Sequence, residues 1–351
     1  MSNKPEALVI FTPAFPVNEA DEVWLPWLQV LVKAFNRNYP SMKIIIFSFQ
    51  APQSVAAYKW HNNLVIPFNG MRKKRLARVI MWSNIINKLG KIKHSHNIKG
   101  IFSMWCHECA YVAKKAAKLY RLKHYCWLLG GDAGNTNPYI KKIKPVADEL
   151  VAASDFLMHE FYKNHQIKPA HVIYHGIDAS LYTGNLPKKD IDIIGVGNLH
   201  ALKQYDLFME IVAELKNFFP AIKAVLCGDG EERMRIEKII ADLSLCENIE
   251  MTGMIQHTEV LKMMQRAKIL LHPSSYEGFG TVCTEALYAG ARVVSFCKPL
   301  NSDIKNWHIA KNKEEMLTIV LALLYKDKTE YNRILVQGID ITAMQVMNLF
   351  N

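Results

Sequence analysis

Short β-type apolar runs alternate with helix-length amphipathic segments along nearly the whole of this 351-residue chain. Ala7–Phe11 reads as a strand, Trp24–Phe35 as a helix and Lys43–Phe49 as a strand again. Ile101–Trp105, Tyr125–Leu129, Leu150–Ala153 and His171–Tyr174 continue the strand series, with helical stretches such as Cys109–Tyr120 between them. Such alternation predicts parallel sheets built from βα units. With half of the residues hydrophobic, a chain of this length buries large cores without metal or disulfide staples, so disordered, collagen-like and small disulfide-scaffold classes are excluded.

The pattern breaks at Ile177–Asp190, where Gly184, Pro187 and a Lys-Lys pair interrupt the periodicity, and then it restarts. Ile191–Val196, Ala224–Cys227, Ile269–Leu271 and Val293–Phe296 read as strands; Tyr205–Phe218, Glu231–Leu243 and Val282–Ala289 read as helices. The expectation is two doubly wound α/β domains, residues 1–180 and 191–338. Glu314–Tyr325 is a helix apolar on one side, and a last helix within residues 339–351 is expected to pack back on the first domain. In such folds ligands bind outside the carboxyl ends of the strands, here in the cleft between the domains.

Three turns of the second half share one design: strand, small-residue turn, helix. In Gly195-Val-Gly-Asn-Leu-His-Ala-Leu-Lys203 the glycines allow close backbone approach to a ligand, the helix start offers N–H groups to an anion, and Lys203 adds a formal charge suited to phosphate. Taken alone, an ordinary βα turn with a solvated lysine is the simpler reading, and His200 stands where a dinucleotide fingerprint would need its third glycine. In Cys227-Gly-Asp-Gly-Glu-Glu-Arg233 a tight turn is the simpler reading; Arg233 sits at a helix start, where cations are disfavoured, and an anionic ligand would compensate. The third turn, His272-Pro-Ser-Ser-Tyr-Glu277-Gly-Phe-Gly280-Thr-Val-Cys-Thr-Glu285, is the most informative. Glu277 falls in the turn and Glu285 about one helical turn beyond it. Carboxylates accept hydrogen bonds from paired sugar hydroxyls, and the amides near Gly278–Thr281 suit an anion. Two sugar-binding carboxylates around a phosphate-binding helix start describe a nucleotide-sugar site.

At these residues the sequence resembles the retaining, family 4 type of GT-B glycosyltransferase. The E-x7-E pair of Glu277 and Glu285 within EGFGTVCTEALYAG is that family's signature. Val172–Asp178 (VIYHGID), Gly197–Asp206 (GNLHALKQYD), Cys227–Glu237 (CGDGEERMRIE) and Met251–His257 (MTGMIQH) are similar to further family segments in the same order. The likeness is specific over about residues 172–296 and general before them. It implies two Rossmann-like domains facing a cleft and transfer of a hexose from a nucleotide-diphosphate sugar to a glycan or lipid-linked acceptor with retention. It also implies roles. Lys203 would bind the diphosphate, Glu285 the ribose, and Glu277 would lie against the transferred sugar. Backbone groups at Gly278, Phe279, Gly280 and Thr281 would meet hydroxyls and phosphate, with Met254 and Ile255 near the base. Such enzymes usually need no metal or other cofactor. The chain departs from the family at Asn198, where an arginine is common; Arg233 or Arg292 is the substitute to consider. The usual acceptor-side histidine has no clear counterpart, and Asp132 within Leu128–Gly134, or His107, is the nearest polar residue for a catalytic role.

Charge divides the chain. Residues 1–175 carry 24 Lys/Arg against 10 Asp/Glu, residues 176–351 carry 19 against 22, and no acid occurs between Val23 and His107. This asymmetry points the first half towards an anionic partner, nucleic acid or membrane headgroups. No nucleic-acid motif is present, so a basic nucleic-acid-binding protein is the alternative rather than the leading reading, beside a GT-B nucleotide-sugar epimerase. Met71–Leu89 concentrates basic residues at Arg72–Arg78 and apolar ones at Leu76, Val79, Ile80, Trp82, Ile85, Ile86 and Leu89. That composition fits a membrane-interface helix and equally a core helix with a solvated basic end. Cys106-His-Glu-Cys109 invites a zinc or redox reading, but no second cysteine pair supports it. Seven scattered cysteines, no signal-peptide core and no apolar run of spanning length fit a cytoplasmic chain, at most peripheral on the inner face of a membrane and engaged in surface polysaccharide synthesis.

Overall fold

The computed structural model describes residues 4–53, 55–182, 184–326 and 331–351. Thr183, within the expected linker, and the first three residues of the polar amino terminus lie outside them. The chain divides into two compact units, Met1–Gly176 with Ile339–Asn351, and Ile177–Gly338.

The first unit is built on eight strands: β1 (Glu6–Ala14), β2 (Lys43–Ala51), β3 (Tyr58–Trp60), β4 (Asn63–Pro67), β5 (Asn97–Met104), β6 (Lys123–Leu128), β7 (Leu150–Ala152) and β8 (His171–Val172). Their order is β3-β4-β2-β1-β5-β6-β7-β8, parallel throughout except for the β3–β4 pair. Central β1 pairs Val9 with Ile45 on one side and with Ile101 on the other. Ala7–Phe11 are wholly buried, as a strand covered on both faces requires. Helix Pro26–Asn38 takes on the closing helix Ile339–Asn348: Arg37 and Asn38 both bond Asp340 at 2.6 Å, and Thr342 donates to the Tyr174 carbonyl. Phe350 then packs edge-on to Phe102 and Tyr125.

The basic segment read as a helix over Met71–Leu89 becomes helical only at Arg75 and continues to Ser95. Its second half resolves the two sequence readings one way: Met81, Ile85, Leu89 and Ile92 recur at helical spacing and join the core with Phe11, Phe47 and Phe49. Its first half does not join that core: Leu76, Val79 and Ile80 are exposed.

The second unit has six parallel strands: β9 (Ile191–Val196), β10 (Ala224–Cys227), β11 (Ile249–Gly253), β12 (Ala267–His272), β13 (Arg292–Ser295) and β14 (Trp307–Ile309), ordered β11-β10-β9-β12-β13-β14. Helix Tyr205–Lys216 covers one face through Phe208, Ile211, Val212 and Leu215; helix Thr281–Tyr288 covers the other through Cys283, Ala286 and Leu287. Both units are thus doubly wound α/β, as the alternation predicts.

Candidate functional site

Succession along the second sheet reverses at β9, which pairs with β10 on one side and β12 on the other. At such a switch point the loops leave a crevice at the carboxyl ends of the strands. The loops after β9 and β12 are bonded together there. Ser275 N–H donates to the Leu202 carbonyl at 2.9 Å, the Ser274 hydroxyl donates to the same oxygen at 3.2 Å, and the Lys203 ammonium bonds the Glu277 carboxylate. His272, the last residue of β12, holds the same Glu277 oxygen through Nε2 at 2.8 Å. Burial alone would push the Glu277 carboxyl up; the contacts of His272 and Lys203 outweigh it and hold the group down at about 2. Glu277 is therefore an ionised acceptor, gripped between two nitrogen donors.

Gly280 opens the helix Thr281–Tyr288 at φ 71°, a left-handed conformation that costs other residues roughly 1–2 kcal/mol. Glu285, one turn further, places Oε1 2.7 Å from Nε2 of His257, the first residue of helix His257–Arg266. Gly228 answers a different need. A Cβ there would stand 1.9 Å from the Gly197 carbonyl oxygen, so this glycine lets the loops after β9 and β10 lie against each other. Tyr205 begins the helix after the first loop; its hydroxyl is buried without a hydrogen-bond partner, and a Cβ on Gly197 would lie 3.0 Å from it.

Lys203, Glu277, Gly278, Phe279, Gly280, Thr281 and Glu285 are brought to one edge of the second sheet, with Asn198 exposed on the first loop. Met254 is exposed beyond the end of β11, and Ile255 packs on the core cluster. Arg233 is held by Glu237 at 2.8 Å and Asp229 at 3.2 Å, so its place at a helix start is compensated within the chain. Arg292 opens β13, at the amino ends of the strands and opposite the crevice, with its guanidinium over Tyr331. It is not placed to replace the charge that Asn198 lacks. His272, His257 and Tyr205 went unassigned in the sequence reading. The two histidines lie inside quoted motifs, but nothing in the pattern assigns them a partner.

In the first unit, His107 is exposed after β5, parallel to the Tyr139 ring at 6.0 Å. Asp132 is buried, and its two oxygens accept from the backbone N–H groups of Cys106 (2.8 Å), Gly130 (2.8 Å) and Leu129 (3.1 Å). Burial raises its pKa against these bonds. Asp132 thereby stitches the loop after β5 to the loop after β6. Cys106 and Cys109 are both buried, and among the described residues no group of three or more His, Cys, Asp or Glu is placed to hold a metal. Glu108, the first acid after the long stretch without one, is also buried and takes Arg78 at 2.5 and 3.0 Å, the Trp82 indole N–H at 2.7 Å and the Gln50 amide at 3.2 Å.

The model of the family Glycosyl transferases group 1 matches residues 182–337. This segment is a glycosyltransferase domain. A phosphatidylinositol N-acetylglucosaminyltransferase gpi3 subunit of Schizosaccharomyces pombe is 26% identical over 218 residues, 60% of this chain and 47% of that protein, so the chain spans about half the length of the curated relatives it matches. Among solved structures, sucrose-phosphate synthase of Thermosynechococcus elongatus superposes over 99% of this chain and 95% of its own, with a TM-score of 0.69 at 14% identity. Anabaena HepE, solved with UDP and glucose, does so over 97% and 98%, with a TM-score of 0.69 at 15% identity. The fold is GT-B, in which both α/β units take part.

Proposed function

We propose that the chain is a retaining glycosyltransferase of the family 4 type, which moves a hexose from a nucleotide-diphosphate sugar to a hydroxyl on a glycan or lipid-linked acceptor in surface polysaccharide synthesis. The observation that carries this reading is the Lys203–Glu277–His272 cluster at the β9/β12 switch point, inside a glycosyltransferase domain. In it Lys203 and the turn amides around Gly278–Thr281 meet the negative charge that develops on the departing diphosphate, without a metal. Glu277, ionised at neutral pH, accepts hydrogen bonds from hydroxyls of the transferred sugar, and Glu285, oriented by His257, does so from the ribose. Met254 and Ile255 flank the base. When the nucleotide sugar enters, its phosphates displace the Glu277 carboxylate from Lys203 and take that ammonium. The acceptor hydroxyl attacks on the face the nucleotide leaves, through an oxocarbenium-like state, the route that the family resemblance implies. The acceptor belongs to the basic first unit, where His107 is an exposed polar group at a strand's carboxyl end.

The relative in fission yeast is named for transfer of N-acetylglucosamine to phosphatidylinositol, which supports an acceptor carried by a lipid and work at a membrane face. No helix among the described residues is long and apolar enough to cross a membrane. The test is transfer of radiolabel from a panel of nucleotide sugars into a lipid extract, followed by determination of the product's anomeric configuration. The proposal expects label in the organic phase with the donor's configuration kept. Absence of transfer from every donor, or an inverted product, contradicts it; nucleotide release with free sugar and no acceptor would instead fit an epimerase.

A further inference from the structure

We infer that the amino-terminal half of the helix Arg75–Ser95, with the residues leading into it, is a docking element for an anionic lipid bilayer. The inference rests on the reading of a lipid-linked acceptor and names the surface that reaches it. Four large apolar side chains stand in the open here: Met71 at 52% exposure, Leu76 at 72%, Val79 at 49% and Ile80 at 53%. Leu76, Val79 and Ile80 are three and four residues apart, so they share one side of the helix. That side lies opposite Met81, Ile85 and Leu89, which enter the core, so the helix has an inner and an outer apolar side. Clustered exposed apolar side chains on a folded surface mark a contact site rather than ordinary scatter.

Charge selects the occupant. Arg72, Lys74 and Arg75 surround the apolar cluster and are exposed. Among the described residues none of the three forms an ion pair, because the sequence offers no acid between Val23 and His107 and Glu108 is buried against Arg78. Further along the helix Asn84, Lys88 and Lys91 line a groove with Phe68, Asn69 and Tyr120, which adds two more lysines to the positive surface. Apolar side chains rimmed by unpaired cations fit the boundary between anionic headgroups and acyl chains, the one going into hydrocarbon and the other onto phosphates. A protein partner of matching shape would have to bring acids to the rim, whereas an anionic bilayer presents them everywhere.

The element is held rigidly for this task. Gly70 N–H donates to the Phe49 carbonyl at 2.8 Å, and the Lys73 ammonium donates to the Phe68 and Asn69 carbonyls at 3.0 and 2.8 Å. Arg78 and Trp82 bind Glu108 at the start of the next helix. These contacts fix the helix start beside the carboxyl ends of β2 and β4, the same edge of the first sheet at which His107 stands. A bilayer met by Leu76 and Ile80 would thus present headgroups at the edge where the acceptor is expected.

The experiment is flotation of the full chain with vesicles of phosphatidylcholine alone and of phosphatidylcholine with phosphatidylglycerol, at low and high salt. Wild type and the variants Leu76→Glu/Ile80→Glu and Arg72→Glu/Lys74→Glu are compared after thermal melts establish that each is folded. Wild type is expected to float with the anionic vesicles and to lose binding in high salt. Each double variant should lose roughly tenfold or more of that partition. Wild-type-like flotation of the folded apolar variant overturns the proposal. So does equal binding of wild type to neutral vesicles, or an effect of the variants on self-association alone, which would assign the surface to a second copy. Stabilisation by nucleotide sugars is read in the same samples: its absence with vesicle binding intact strikes the glycosyltransferase reading and leaves the docking element standing.

Discussion

The Lys203 ammonium and the Glu277 carboxylate, 74 positions apart in sequence, are bonded to each other across the loops that follow two neighbouring strands, β9 and β12. The pair is mostly shielded from water and His272 braces its acid. It joins the group expected to bind phosphate to the group expected to bind sugar, so each holds the other in place.

Substitution of either partner is the first prediction. Lys203→Ala and Glu277→Ala should each lower transfer by about 100- to 1,000-fold, the scale for removing one preorganised group that meets transition-state charge. Lys203→Ala also leaves Glu277 buried with only His272, and a stability loss of about 3 kcal/mol is expected from breaking such a pair. Initial rates and urea melts of the two variants check both parts.

Acidity should act through three buried groups in the same direction. Burial lowers the His124 and His175 imidazoles to about 3, so between about 3 and 6.5 the unfolded chain binds protons that the folded chain does not. Stability therefore falls as pH drops from 6.5 towards 3, by about 1.4 kcal/mol per pH unit for each imidazole. Glu277, held at about 2, adds its own loss as pH falls from its ordinary range through that value. Urea midpoints measured from pH 7 to 5 should decline, and His124→Gln should roughly halve the slope.

The glycines separate by what surrounds them. Gly228→Ala would drive a methyl group into the Gly197 carbonyl at a backbone angle of φ 147°, and overpacking of this kind costs about 3 kcal/mol. At Gly131 nothing lies within 4 Å of an added Cβ, and Gly131→Ala should be near neutral. Comparing the two melts tests whether the loops after β9 and β10 are as closely packed as described.

Tyr205 carries a buried hydroxyl without a partner, a group that costs about 1–3 kcal/mol to leave unsatisfied. Tyr205→Phe should therefore match or exceed wild type in stability without ligand. If the bound diphosphate satisfies the hydroxyl beneath Gly197, the same variant loses part of the stabilisation that a nucleotide sugar confers. A calorimetric titration beside the melts separates the two effects.

What the sequence made legible was local. Strand and helix alternation is a short-range pattern, and both sheets follow it, with Trp24–Phe35 and Tyr125–Leu129 displaced only by a few residues at their ends. The turn holding Glu277 and the helix holding Glu285 were legible for the same reason, because glycine spacing and helical spacing are written within a single segment. What was not legible depends on pairing across segments. His272 and His257 acquire meaning only once the fold carries them to Glu277 and Glu285. Arg233 looked in need of an anion because the pattern does not show that Asp229, in the loop before it, and Glu237, on the next turn, both reach it, and Arg292 looked available because a one-dimensional pattern does not say at which end of a strand a residue stands. The helix Arg75–Ser95 was ambiguous because its two halves differ: the second turns its apolar side chains into the core, and the first leaves Leu76, Val79 and Ile80 exposed.

The most direct test of the central claim is a thermal shift of wild type and Lys203→Ala against UDP-, GDP-, ADP- and TDP-linked sugars. A ligand that binds the folded state raises the midpoint by mass action. The account predicts a rise with at least one nucleotide sugar that is lost in a folded Lys203→Ala variant. No rise with any donor, or a rise undiminished by the substitution, would contradict it.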